Sequence, residues 1–295
     1  MYTQFFGNYL LTNGYVTKEQ LFSAMKRESN QRMKLGTLAM HSGYMTASQI
    51  DEIVIRQTHE DRKFGDLAIE LGYLTQKQLY ELLALQTPAF LSLGQALLDD
   101  GVLNNTEFEK IISDYRSQNS IDEAESPWEE QDVISRMFNQ FFDSYNEHLS
   151  DEGQCFIKLL FNNFVRFVGN DFTPNTIDNS HEIQADCCIT QSILGDYSIN
   201  TYLAMSETTA ITFASRYVGE SYEKYDEYVQ ASLEDFLNLH NGLFAVNLSN
   251  EVSIELTLTP PESINKQISL SHQTIHIPIL YSFGVVDFYM ERADE

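Results

Sequence analysis

Asp235, Asn238 and Gly242 fall at helical spacing in the run YVQASLEDFLNLHNGLF. An acid and an amide three positions apart stand one turn apart on a helix, and a glycine four positions on extends the same stripe. A helical wheel places Leu233, Phe236, Leu237, His240 and Phe244 on one side, where a core would take them. Ala231, Asp235, Asn238 and Gly242 lie almost opposite. A carboxylate and a carboxamide are thus brought together on an open face that a second backbone can approach closely at the glycine. Such a pair can hold and orient polar groups of a partner. Spacing alone fits a solvated helix face equally well. Glu234 is adjacent but rotated by about 100°, so it cannot take the role of Asp235 without turning the helix.

Other chemistry is weakly represented. The seven histidines have no metal-ligand spacing among themselves or with the cysteines, so no metal site is indicated. Cys155, Cys187 and Cys188 cannot all pair, and two are sequence neighbours, which fits reduced thiols. No Gly-Lys-Ser/Thr phosphate loop and no nucleophile elbow occurs.

The elements that position these residues must belong to about two domains in a chain of 295 residues. Residues 1–118 carry 11 Lys and Arg against 14 Asp and Glu, whereas the remainder carries 7 against 29. Most of the net charge of −25 therefore belongs to the C-terminal half, which repels a phosphate backbone and argues against nucleic-acid binding there. No apolar run is long enough for membrane insertion. The start MYTQFFGNYLL lacks the basic flank and continuous apolar stretch of a secretory signal, and the expected location is cytoplasmic.

Aligned with itself at an offset of 29, the chain places Gly7 over Gly36, Gly65 and Gly94, and Gly14 over Gly43, Gly72 and Gly101. Leu21, Ile50, Leu79 and Phe108 follow in the same register, then Met25, Val54, Leu83 and Ile112, giving each copy one apolar stripe. The second glycine of each copy suits a left-handed helix end. Thr17, Thr46, Thr75 and Asn104, each followed three residues later by Gln20, Gln49, Gln78 and Glu107, form the capping-box pattern that starts another helix. The expectation is an all-α array of four helix-turn-helix units over 1–118, made stable by stacking neighbours. The acidic, Pro-containing stretch 119–130 reads as a linker, and 131–295 as an α+β domain. In that second domain, helical runs at 133–149 and 154–167 precede strand-like runs at 181–193 and 196–205, paired as a hairpin through Leu194-Gly195-Asp196. Ser206 then opens a helix that Gly219 stops, a further helix runs from about Tyr225 to Leu243, and strands close the chain.

Two stretches resemble known families. Lys34 to Gln57 and Lys63 to Gln86, separated by five residues, resemble the 24-residue motif of MshEN, the N-terminal domain of type II secretion and pilus ATPases. Lys34, Leu35, Gly36, Gly43 and Gln57 fill the first copy, and Lys63, Phe64, Gly65, Gly72 and Gln86 the second. The resemblance implies cyclic di-GMP as ligand, with backbone approach at glycine, a cation near phosphate, apolar contacts to guanine and an amide for a base edge. The family's Arg is replaced by Lys34 and Lys63, which lose the planar fork; Arg62 stands beside Lys63 as compensation. The outer copies, with Phe5 and Ser92 at the cation position and Glu28 and Tyr115 at the glutamine position, look like structural caps.

The run from Leu194 to Phe244 resembles the CheX and CheC family of chemotaxis phosphatases, CheX more closely. Asp235 takes the family's acid position, Asn238 its asparagine and Gly242 its glycine, and Pro261 follows Asn238 after 22 residues. The resemblance implies docking of a CheY-type receiver domain, with Asn238 orienting the attacking water and Asp235 pairing with the receiver's lysine. Gly242 would admit the partner. It also implies Mg2+ on the receiver, no cofactor in this chain, and a homodimer. Asp235 is one methylene shorter than the usual Glu, and Ala231 stands where Ser or Asp is common. The alternative is a non-catalytic adaptor, whose repeats dock a secretion or pilus component and whose CheX-like domain only binds or dimerises.

Overall fold

The computed structural model describes residues 2–28, 33–85, 89–119, 127–145, 149–264, 267–271 and 274–292. The chain divides into two compact units, Tyr2–Met137 and Phe138–Glu295. The first contains helices α1 (Tyr2–Thr12), α2 (Lys18–Glu28), α3 (Leu35–His41), α4 (Ala47–Gln57), α5 (Phe64–Glu70), α6 (Gln76–Ala84), α7 (Ala89–Asp99) and α8 (Asn105–Asn119). The division between units falls inside α9 (Pro127–Asp143). Of the expected linker, Asn119 ends α8, residues 127–130 open α9, and 120–126 lie outside the described residues. Pro127 is compatible with this because a proline at the first helical position gives up no intrahelical bond.

Local chemistry explains the helical pairs. Gly14, Gly43, Gly72 and Gly101 each turn the chain between two helices at φ 70°, 68°, 76° and 67°. All four capping boxes form: Thr17 with Gln20, Thr46 with Gln49, Thr75 with Gln78, and Asn104 with Glu107 exchange backbone-to-side-chain bonds in both directions. Each such cap stabilises its helix by about 1 kcal/mol. Gly36, Gly65 and Gly94 serve a different purpose, close helix packing. A Cβ there would meet Ile50 at 3.1 Å, Leu79 at 3.0 Å and Phe108 at 2.1 Å, one equivalent partner in each pair.

The pairs do not simply stack on their neighbours. α7 lies against α1 and α2, and α8 against α3 and α4, so the fourth pair folds back over the first and second. Phe6 packs its ring against Phe90 and Tyr115 at centroid distances of 5.3 and 5.0 Å. Ala47 donates its backbone N–H to Glu109 at 3.1 Å, and Asn105 bonds Asp51 at 2.7 Å. The apolar stripe is uneven as well. Met25 and Ile112 are buried, whereas their equivalents Val54 and Leu83 in the middle pairs are 48% and 65% exposed.

The second unit holds α10 (Asp151–Phe167), β1 (Phe172–Pro174), β2 (Asp178–Asn179), β3 (Glu182–Ile183), β4 (Cys187–Gly195), β5 (Ile199–Met205), α11 (Glu207–Val218), α12 (Glu227–Val252), β6 (Leu256–Leu258), β7 (Glu262–Ser263), β8 (Ile268–Ser269), β9 (Ile275–Tyr281) and β10 (Gly284–Arg292). The main sheet is antiparallel in the order β1-β9-β10-β5-β4-β6, with β2 beside β9, β7 beside β4, and a separate β3-β8 pair. The strand run expected over 181–193 is broken, because β3 leaves to pair with β8 before β4 begins.

On one face of the sheet, α12 packs on β4, β6 and β7, α11 on α12 and β10, and α10 on α12. Ser206 caps α11 by accepting from Thr209, and Gly219 ends it at φ 79°. Asp226 caps α12, which continues nine residues past the expected end at Leu243. Phe156, Phe164, Phe213, Phe236, Phe244 and Phe288 are fully buried between these helices and the sheet. Ile183, Cys188, Tyr202, Ala204 and Tyr289 form a smaller core on the opposite face. The three cysteines are free. No helix among the described residues is long and apolar enough to cross a membrane.

Candidate functional site

Leu233, Phe236, Leu237, His240 and Phe244 are completely buried, and they anchor α12 against the sheet. Burial of each large apolar side chain contributes about 1.5–3 kcal/mol, so the helix is a rigid platform. Ala231, Asp235 and Asn238 are exposed on its other side, with Gly242 half-buried beyond them. The wheel therefore places the acid, the amide and the glycine on one accessible stripe, as read from the sequence.

Among the described residues, nothing packs closely on Gly242. A Cβ at this position would meet only Leu258, at an ordinary 3.8 Å, and its backbone is helical. A mid-helix glycine costs roughly 0.5–1 kcal/mol relative to alanine, and among the described residues no close contact at this position offsets it.

Asp235 is not free on its surface. The Tyr217 hydroxyl, on α11, donates to Asp235 Oδ2 at 2.6 Å. Burial, and then the hydrogen bond to this carboxylate, push the Tyr217 phenol above its usual range and keep it a donor. Asn238 is held from the sheet side, where Gln191 Nε2 donates to Asn238 Oδ1 at 2.7 Å. Gln191 lies on β4 and Thr201 opposite it on β5, both buried in rows that otherwise read Ile189, Ile193, Ile199 and Leu203. These two polar residues interrupt an apolar alternation, and that interruption is the signal a sequence reading passes over.

His240, directly behind the stripe, bonds Asn163 through Nδ1 at 3.0 Å and packs edge-on to Phe156. Complete burial lowers its pKa to about 3, so it is a neutral core residue, not an acid or base for this face. No group of three or more His, Cys, Asp or Glu among the described residues could hold a metal ion.

A second feature lies in the helical unit, a cavity of about 560 Å3. Lys34, Leu35, Gly36 and Gln57 line it, together with Ile50, Val54 and Phe64. Its opposite wall comes from the fourth pair, through Gln95, Leu98, Asp99, Leu103, Asn104 and Asn105. Lys34 Nζ pairs with Asp99 at 2.5 Å, and Gln95 donates to the same carboxylate oxygen at 2.8 Å. Gln57 Nε2 donates to the Arg62 carbonyl at 2.9 Å. The fourth pair is thus more than a cap.

The stretch from Lys63 onward is arranged differently. Phe64 reaches the same cavity, Gly65 is buried against Leu79 and Leu35, and Gly43 and Gly72 sit in the turns. Lys63 is exposed at the start of α5 without a side-chain cap bond, and Gln86 lies outside the described residues. Arg62, beside Lys63, is engaged by Glu70 at 2.5 Å and Glu60 at 3.5 Å.

With this geometry in hand, comparison with known proteins is informative about one segment. Residues 187–280, from the start of β4 nearly to the end of β9, match the family model of the chemotaxis phosphatase CheX. The matched segment contains Asp235, Asn238 and Gly242, together with Gln191, Thr201 and Tyr217. Among solved structures, a CheC-like superfamily protein from Shewanella sp. PV-4 is similar at 17% identity and a TM-score of 0.43, over 48% of this chain and 97% of that one. Chemotaxis protein CheX from Desulfovibrio desulfuricans is similar at 15% identity and a TM-score of 0.43, over 49% and 100%. The CheX-CheY-BeF3-Mg2+ complex from Borrelia burgdorferi is similar at 16% identity and a TM-score of 0.42, over 49% and 99%. No curated protein matches the chain.

Proposed function

We propose that the exposed stripe of α12 docks a CheY-type receiver domain and hydrolyses its aspartyl phosphate. The observation that carries this reading is the glycine without an internal role, Gly242, in line with Asp235 and Asn238 inside a segment that matches the CheX family model. A partner backbone lying across Gly242 would bring its phosphorylated site to the acid and the amide. Asp235 then pairs with a lysine of the receiver and fixes the pose, while Asn238 holds the attacking water in line with phosphorus. The receiver contributes the phosphoaspartate and Mg2+, which neutralises charge on the transferring group. Such catalysis is almost entirely positioning, and one well-held water is sufficient contribution from this chain. Homodimerisation is part of this reading, and sedimentation of the full chain tests it.

The experiment is the decay of a phosphorylated CheY-type receiver from the same organism, with and without the full chain. Wild type should accelerate decay, and Asn238→Ala should return it to the receiver's own rate while leaving receiver binding intact. Binding with no acceleration by wild type would favour the adaptor reading.

The cavity of the helical unit supports a second, independent reading as a cyclic di-GMP site. Its volume lies in the range of small-molecule pockets, and it combines apolar walls for a purine with Lys34 for a phosphate. In this reading the helical pairs are four copies of one 29-residue unit, of which the second carries the ligand. Calorimetric titration of the full chain with cyclic di-GMP tests it, and absence of heat and of thermal shift at saturation would reject it.

A further inference from the structure

The amide of Asn238 is attached to a chain of buried polar groups that determines which of its two ends faces outward. Gln191, Thr201 and Asn241 are 1%, 0% and 0% exposed, so their hydrogen bonds cannot be exchanged for water. Two backbone carbonyls, which can only accept, set the directions. The Thr201 hydroxyl donates to the Gln191 carbonyl at 2.8 Å. Its proton is then spent, and its oxygen accepts from Asn241 Nδ2 at 2.8 Å. The same Nδ2 donates to Gln191 Oε1 at 2.9 Å. Gln191 Nε2 gives one proton to the Thr259 carbonyl at 2.8 Å, and the other to Asn238 Oδ1.

Reversal at any point would set donor against donor or acceptor against acceptor. Turning Gln191 would put Oε1 against the Thr259 carbonyl, and turning Asn238 would put its N–H groups against those of Gln191. Asn241 even leaves its buried Oδ1 without a partner among the described residues, a cost of about 1–3 kcal/mol that an apolar residue would avoid. A plain core would place aliphatic residues at these positions, as the neighbouring isoleucines do.

We propose that Gln191 is a positioning residue for Asn238, fixing its carboxamide so that Nδ2 faces the partner as a donor. This rests on the phosphatase reading above and specifies its geometry. The Nδ2 proton occupies one lone pair of the water and leaves the other aimed at phosphorus. The water oxygen then bonds to phosphorus as the bond from phosphorus to the receiver's carboxylate oxygen breaks. The carboxylate departs with the electron pair, and the water's proton goes to the released inorganic phosphate.

The test is steady-state dephosphorylation of the phosphorylated receiver by the full chain carrying Gln191→Met, which keeps volume and removes both donors. The expected result is a fall in kcat of about 10- to 100-fold at unchanged KM, the size of effect that loose positioning of a reacting group produces. Affinity for the beryllofluoride-activated receiver should not move. If Gln191→Met fails to fold, Thr201→Val removes the hydroxyl that orients the chain and should lower kcat in the same way. Unchanged kcat in the folded variant, or a loss that appears as a rise in KM at unchanged kcat, would overturn the positioning role while leaving the phosphatase reading standing. A wild-type chain that does not accelerate decay would remove both.

Discussion

The hydroxyl of Tyr217 on α11 is bonded to the Asp235 carboxylate on α12 at 2.6 Å, so the exposed acid is steadied by a neighbouring helix. Tyr217 is itself seated against Phe236, ring centroids 5.6 Å apart, and Phe236 is part of the core. The position of the surface carboxylate is thereby referred to the interior of the domain.

Replacing Tyr217 with Phe keeps that ring contact and removes the donor. The expected outcome is a rise in KM for the phosphorylated receiver of about 3- to 10-fold with kcat nearly unchanged, since only docking loses a hydrogen bond to a charged group. Steady-state kinetics over a range of receiver concentrations read the two parameters apart.

Gly242→Ala should separate stability from binding. A Cβ fits the fold, so the isolated protein gains roughly 0.5–1 kcal/mol of helix stability, while the methyl stands in the path of a docked backbone. Denaturant unfolding should show the gain and receiver titration a loss of affinity. Equal affinity for both proteins would mean that the stripe is not the docking face.

The cavity of the helical unit makes a prediction of opposite signs. Asp99 holds Lys34, so Asp99→Asn should release the cation and tighten cyclic di-GMP binding, whereas Lys34→Ala should weaken it. Val54→Glu, which places a charge at an exposed apolar wall, should abolish it. Calorimetry on the three variants decides, and a ligand indifferent to all of them binds elsewhere.

Stability should respond to pH through His276. Burial lowers its pKa, but Asp287 at 2.8 Å and Asp178 at 2.6 Å outweigh that and raise it above the ordinary value. Two carboxylates facing the two ring nitrogens are both satisfied only by the imidazolium. The stabilisation is complete below the unfolded pKa of about 6.5 and is lost as pH rises through the raised folded value. The stability gap between wild type and His276→Gln should therefore be widest below about pH 6.5 and narrow as pH rises above it in chemical denaturation. His240 acts with the opposite sign, since it stays neutral when folded and penalises folding only as pH falls below about 6.5.

Much of this architecture is written in local pattern. The Thr-x-x-Gln boxes place helix starts because both bonds form within four residues, and the wheel of α12 places Asp235 and Asn238 because helical geometry needs no partner. The cavity was half legible. Lys34, Gly36 and Gln57 lie close in sequence, but Gln95 and Asp99 come from about 60 residues away, and a 29-residue period does not say which pair packs on which. Val54 and Leu83 share a register with Met25 and Ile112 and yet differ from them in burial, for the same reason. Gln191 and Thr201 escaped because each sits alone in an apolar row, and their meaning depends on Asn241 and Thr259, which only the folded sheet and α12 bring near.

The way the fourth helical pair closes on the first has a consequence during synthesis. Phe6 leaves the ribosome well before the rings that cover it, Phe90 and Tyr115, which arrive some 85 to 110 residues later. At elongation rates of about 5–20 residues per second, that apolar surface stays uncovered for several seconds. A nascent chain of this design therefore has a window in which a chaperone, or a second nascent copy, can reach Phe6 before its own eighth helix does.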